Sequence, residues 1–175
     1  MRRTHLTAGP PLPPEFTGER IIPGDPPHHD LYPEHLARYQ FAASFATGRR
    51  ALDLGCGVGY GAKLLAEAGA VAVTAADASA EAIAYAQAQY AHPKVQYLAG
   101  DARATGLPEQ SFDLIVCFEL IEHVAEQTQL VAEIKRLLAP NGLAILSTPE
   151  ADRPAKTPNP WHVRELRREE FQALL

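Results

Sequence analysis

Beyond residue 50 the chain switches between two kinds of hydrophobic pattern. Short runs that are almost wholly apolar, at 50–54, 71–76, 95–99, 112–118 and 143–148, have the length of buried strands. Among them, segments 60–68, 79–91, 125–138 and about 166–175 place apolar residues at helical spacing. Local signals agree with these boundaries. Gly69 follows the first of these helices, Ser79 with Glu81 starts the second, and Pro140-Asn141-Gly142 stops the third. Upstream, Pro33 suits the first turn of a helix carrying Leu36, Tyr39, Ala43 and Phe45–Ala46 on one face, ended by Gly48. Strands that are apolar on both faces and alternate with helices imply a parallel sheet covered on both sides, an α/β doubly wound fold.

Residues 1–32 lie outside this pattern. They hold seven of the 15 prolines and sustain neither period, so they are expected to form an extended N-terminal arm before a single domain at 33–175. Composition sets further bounds. Hydrophobic content of 46% and charged content of 21% over 175 residues fit one globular domain. A net charge of -5 speaks against a nucleic-acid or anionic-membrane surface. No apolar run reaches the ~20 residues of a membrane span, and no apolar signal core follows Met1. Two cysteines, Cys56 and Cys117, do not make a disulfide framework. The expected location is therefore the cytoplasm.

The chemistry starts at Ala51-Leu-Asp-Leu-Gly-Cys-Gly-Val-Gly-Tyr60, where glycines alternate directly after a strand. No Gly-Lys-Ser/Thr follows, which excludes a P-loop. A dinucleotide site remains open at this point, because Gly57-Val-Gly59-Tyr-Gly-Ala62 fits the G-x-G-x-x-A pattern and Asp77 lies about twenty residues on. Three acids close successive strands. Asp53 is placed to organise the loop's amides or to meet an ammonium group. Asp77 is placed to accept from two ribose hydroxyls, and Asp101 to accept from the exocyclic amine of adenine. Three carboxylates suit a pyrophosphate poorly and a sulfonium cofactor with an amino-acid tail well.

Taken in order, Asp53–Gly59, Asp77, Gly100-Asp101-Ala102, Phe112–Phe118 and Leu137–Leu143 resemble the successive motifs of class I S-adenosylmethionine (SAM)-dependent methyltransferases. The resemblance covers 50–148 and implies a Rossmann-like fold. It also implies that Gly55, Cys56 and Gly57 line the methionine portion of SAM and that Asp77 holds the ribose. Ala78 would then flank the adenine, Asp101 and Ala102 would read its edge, and Phe118 would sit beside the methionine carboxylate and amine. Phe16–Pro23, His35–Tyr39 and Asn159–Leu166 resemble bacterial members associated with glycan assembly. Residues 16–39, with Tyr39 and the Gly18-Glu-Arg20 turn, are expected to form a lid that orders when SAM binds. The family usually continues with two further strands beyond the position of Leu175, which leaves two expectations: the sequence is truncated, or a partner, such as a second copy, covers the fifth strand.

Glu119-Leu-Ile-Glu122-His123 follows the fourth strand and faces the expected methyl group. His123 is the natural base, since an imidazole titrates near pH ~6.5, and Glu119 is grouped with it as catalytic. E-x-x-E-H also resembles the metal site of some O-methyltransferases, which implies Mg²⁺ or Mn²⁺ on Glu119, Glu122 and His123 with His162 as a fourth ligand. The expectation adopted is bracing of the loop without metal, with His162 elsewhere; His28 and His29 are expected to be solvent-exposed rather than ligands. The function implied is SAM-dependent methylation, directed to oxygen on a small-molecule or glycan-linked acceptor. A SAM- or nucleoside-binding protein without catalysis is the alternative, and an NAD-dependent oxidoreductase is disfavoured by Asp53 and Asp101.

Overall fold

The structure, a computed structural model, describes residues 21–24, 31–152 and 159–175. Most of the arm, including the Gly18–Arg20 turn, His28 and His29, lies outside these residues. The elements follow the order α1 (Tyr32–Ala43), β1 (Arg50–Leu54), α2 (Tyr60–Glu67), β2 (Ala72–Asp77), α3 (Ala80–Gln89), β3 (Val95–Ala99), β4 (Phe112–Phe118), a 3₁₀ turn (Ile121–His123), α4 (Gln127–Leu137), β5 (Leu138–Ser147) and α5 (Arg168–Leu174).

All five strands pair in parallel in the order β3-β2-β1-β4-β5. Residues along β1 and along Leu114–Phe118 of β4 alternate between two cores, as the period of two requires; Phe112, before the register shift, joins the α4 side. Ala51, Val73, Leu114 and Val116 pack with α1, α2 and α3. Leu52, Leu54, Ile115 and Cys117 pack with α4, and Phe171 and Leu174 of α5 join that side. The doubly wound sheet is thus the one expected. Its strand order reverses between β1 and β4, where open α/β sheets leave a crevice at the carboxyl ends.

Several boundaries shift from expectation, three of them for an identifiable local reason. Helix α1 stops at Ala43, where the Ser44 hydroxyl donates to the Phe41 carbonyl at 2.6 Å, and turns carry the chain to Gly48. Strand β5 starts at Leu138 rather than at 143. Pro140-Asn141-Gly142 does not separate helix from strand but forms an excursion within β5. Pairing slips there, from Phe112–Leu138 to Leu114–Leu143, and Asn141 adopts φ 63°. Third, α5 begins at Arg168, because Leu166 is buried and bridges Glu150 instead of entering the helix. The Ser79 start of α3 is as read: its hydroxyl accepts from Ala82 N–H at 3.1 Å.

Cys56 and Cys117 are both buried free thiols, and burial pushes the Cys117 thiol far above the ordinary range. Among the described residues no helix is long and apolar enough to cross a membrane.

Candidate functional site

One large cavity, about 1080 Å³, opens at the carboxyl ends of the strands. That is at the upper end of the roughly 300–1,000 Å³ typical of ligand pockets. Its floor is the glycine loop after β1, its base end the tips of β2 and β3, and its other wall the loop after β4. Gly55, Cys56, Gly57, Asp77, Ala78, Asp101, Ala102, Phe118, Glu119 and His123 all line it. Asp53 does not.

Asp53 is fully buried beneath the floor, and the Tyr39 hydroxyl donates to both of its oxygens, at 3.0 and 3.3 Å. The expectation that Asp53 organises the loop's amides or meets a ligand's ammonium group is therefore corrected: Tyr39 stands between it and the cavity. Glycine at position 61 makes this docking feasible, because a Cβ there would lie 2.1 Å from the Tyr39 ring. Burial is the main reason the Asp53 carboxyl rises to about 7, with the neighbouring Asp77 charge adding and the Tyr39 hydrogen bond opposing.

The sign of the resulting pH effect follows from linkage. The native state holds the Asp53 proton more tightly than the unfolded chain. Its stabilising contribution is therefore complete below about pH 4 and is lost as pH rises through about 7. Unfolding free energy from urea titrations is expected to decline across this window by on the order of 3 kcal/mol on account of Asp53. Asp53→Asn should flatten most of the decline. Glu122, also raised to about 7 by burial, leaves a residual slope of the same sign. An Asp53→Asn protein with the wild-type slope would remove the assignment.

The loop is organised by Asp77 instead. Its Oδ2 accepts from Gly57 N–H at 2.9 Å and its Oδ1 from Ser79 N–H at 2.9 Å. A carboxylate offers about four lone-pair acceptor sites over its two oxygens. At the tip of β3 the Asp101 carboxylate is gripped by Arg103, whose bidentate contact holds it down near 2. Phe118 packs edge-on against Tyr39, with ring centroids 5.1 Å apart.

Helix α1 forms the near wall with Leu31, Glu34, His35, Arg38 and Tyr39. Sequence reading assigned no role to Arg38. The signal that could have found it is the i, i+3/i+4, i+7 stripe of Leu31, Glu34–His35 and Arg38 on a helix predicted to border the cleft. Arg38 Nη2 lies 3.5 Å from Glu119 Oε1, and its Nη1 is buried with no hydrogen-bond partner among the described residues.

Past β4 the backbone turns sharply, with Glu119 at φ 50°. Glu119 Oε1 accepts from the Ser147 hydroxyl at 2.7 Å as well as pairing with Arg38. Its carboxylate thus holds Arg38 rather than converging with His123. Glu122 is buried; its Oε2 accepts from Thr148 at 3.0 Å while Oε1 has no hydrogen-bond partner among the described residues. Its main-chain carbonyl accepts from Val163 N–H at 2.8 Å and Arg164 N–H at 3.1 Å, which clamps the 159–166 segment onto this loop.

That clamp brings His162 beside His123, ring centroids 4.9 Å apart, where the bracing reading had placed it elsewhere. His123 Nδ1 lies 3.0 Å from the Trp161 carbonyl and must carry the proton, since a carbonyl only accepts. His123 Nε2 is 3.9 Å from Glu122 Oε1. His162 Nδ1 meets Glu165 at 2.5 Å, and its Nε2 lies 3.0 Å from Asn159 Nδ2. One ligand atom from each of Glu122, His123 and His162 lies within 4.8 Å of the others; Glu119 is not in the group.

Comparison with known proteins agrees with this architecture. Residues 52–146, more than half of the chain, match the family described as "Methyltransferase domain". A probable SAM-dependent methyltransferase of Mycolicibacterium smegmatis is 39% identical over 164 residues, covering 91% of this chain and 63% of that protein. A ubiquinone biosynthesis O-methyltransferase of Histophilus somni is 33% identical over 132 residues, covering 70% of this chain and 54% of its own length. The chain therefore spans about six tenths or less of the relatives it matches. Among solved structures, a SAM-dependent methyltransferase from Mesorhizobium loti superposes with TM-score 0.59 at 28% identity, over 65% of this chain and 53% of its own. The motif order, the strand order and these matches agree: the chain belongs to the class I SAM-dependent methyltransferase family.

Proposed function

We propose that this chain binds SAM and transfers its methyl group to an oxygen of a small-molecule or glycan-linked acceptor. The observation that carries the cofactor reading is Arg38 Nη1, a buried guanidinium nitrogen on the cavity wall with no hydrogen-bond partner among the described residues. An amino-acid tail supplies the carboxylate that such a nitrogen lacks. Asp77 supplies acceptors for ribose hydroxyls, and Phe118 with Tyr39 gives an apolar wall between these ends. SAM, when bound, contributes an electrophilic methyl on a sulfonium sulfur.

The chain's own residues then align the acceptor and take its proton. A hydroxyl must lose a proton as it is methylated, and His123 at the β4 loop is placed to receive it. Glu119 acts one step back, as the residue that positions Arg38. The O-methyltransferase name of the H. somni relative supports oxygen as the target.

Calorimetry with SAM, S-adenosylhomocysteine and NAD is expected to show binding of the first two and none of NAD. Methyl transfer detected by mass spectrometry then separates an enzyme from a binder. A protein that binds SAM tightly but transfers nothing to any hydroxylated acceptor would support the non-catalytic alternative.

The grouping of Glu122, His123 and His162 favours a second reading of the β4 loop, in which it holds a divalent ion. Two imidazoles and a carboxylate are donors suited to Zn²⁺ or Mn²⁺, and such an ion would acidify a coordinated hydroxyl. On that reading Mn²⁺ binds with one-to-one stoichiometry and His162→Ala abolishes the binding. Absence of Mn²⁺ binding at millimolar concentration, with full activity in excess chelator, returns the loop to bracing.

A further inference from the structure

The base end of the cavity carries a contact that the family resemblance did not anticipate. Asp101 was expected to accept from the amino group of adenine, but both of its oxygens are already engaged by Arg103. The Arg103 backbone N–H donates to Oδ1 at 2.8 Å and Nε to the same oxygen at 3.0 Å, while Nη2 donates to Oδ2 at 2.7 Å. The remaining end of the guanidinium, Nη1, pairs with Glu126 at the start of α4. Asp101, Arg103 and Glu126 all line the cavity, so the guanidinium bridges its rim from the β3 tip to α4.

Exposed ion pairs are ordinarily weak. This one is held on three counts: the carboxylate is fixed by a main-chain N–H, the contact is bidentate, and a second carboxylate anchors the far side. A guanidinium offers donors and no acceptor. It can serve a purine's ring nitrogens or a 6-oxo group, but it cannot receive hydrogen bonds from a 6-amino group. A free carboxylate would do the opposite, welcoming the amine and repelling a 6-oxo oxygen.

We propose that Arg103, rather than Asp101, presents the polar edge that meets the purine, so that this site accepts 6-oxo and 6-amino purine nucleosides nearly alike. The assignment rests on the SAM reading above and adds to it a specificity residue. Arg103 shields Asp101 and relaxes the base selection that Asp101 would otherwise impose.

The test uses the full chain with S-adenosylhomocysteine and S-inosylhomocysteine, measured by calorimetry; the two differ in the 6-substituent and in the proton that the 6-oxo form carries on N1. Wild-type protein is expected to bind them within about threefold of each other. Arg103→Ala frees Asp101 and is expected to favour the adenosyl ligand by about tenfold or more, because a site that pairs with a polar group rejects the analogue lacking it. The double variant Asp101→Asn, Arg103→Ala should lose most of that new preference, which identifies Asp101 as its source. Wild-type protein that already prefers the adenosyl ligand by about tenfold, or an Arg103→Ala protein with an unchanged ratio, overturns the role of Arg103 and leaves the SAM reading standing. Failure of the wild type to bind either ligand overturns the SAM reading itself, and this assignment with it.

Discussion

Asp77→Ala is expected to weaken binding of SAM and of S-adenosylhomocysteine by about 2–4 kcal/mol, roughly 30- to 900-fold in Kd. Two losses combine. The first is direct, since a carboxylate that accepts from ribose hydroxyls contributes about 1.5–3 kcal/mol as a charged hydrogen-bond partner. The second is loss of the loop's own shape. Asp77 ties Gly57 N–H to the end of β2 across 20 residues of sequence, at 2.9 Å. Without it the loop must be ordered by the ligand at the moment of binding. Asp77→Asn, which retains one acceptor oxygen, should fall between the two. Affinity within about threefold of wild type in a folded Asp77→Ala protein would exclude the ribose assignment.

Gly59→Ala is expected to cost about 2–5 kcal/mol of stability in urea titration. Gly59 caps the start of α2 at φ 91°, a conformation in which a side chain costs about 1–2 kcal/mol. Its Cβ would also fall 2.6 Å from the Ala86 methyl and 2.8 Å from the Tyr97 ring. Neither neighbour can yield easily. Ala86 lies on α3, and the Tyr97 hydroxyl is held by the Gly59 and Tyr90 carbonyls at 3.2 and 2.9 Å. Overpacking of this kind adds about 1–3 kcal/mol. A loss of less than about 1 kcal/mol would mean that the α2–α3 contact is looser than the structure describes.

The sheet was legible because its evidence is local and repeated. Each strand announces itself as a short apolar run, and the acids at the ends of β1, β2 and β3 mark one edge of the sheet. Side-chain direction was less legible. Asp53 and Asp77 look equivalent in the sequence, each closing a strand, yet one turns down beneath Tyr39 and the other faces the ligand cavity. That difference is set by Tyr39 and Gly61, which meet only after α1 docks on α2. Arg103 escaped notice because Asp101 and Arg103 lie past the end of β3, where the strand period does not say which side chains meet. Arg103 reaches Asp101 only because the chain turns after β3. His162 was named as a ligand in one reading and set aside in another. Sequence spacing says nothing about a clamp made by the main chain of Glu122.

That clamp also bears on how such a cleft can change over generations. The 159–166 segment is fastened to the β4 loop chiefly by two peptide N–H groups, those of Val163 and Arg164, meeting one carbonyl. Any residue except proline brings the same N–H to those two positions. Side chains along this rim are therefore free to drift, while the rim stays where it is. A lineage can replace what the acceptor touches without rebuilding what the cofactor touches.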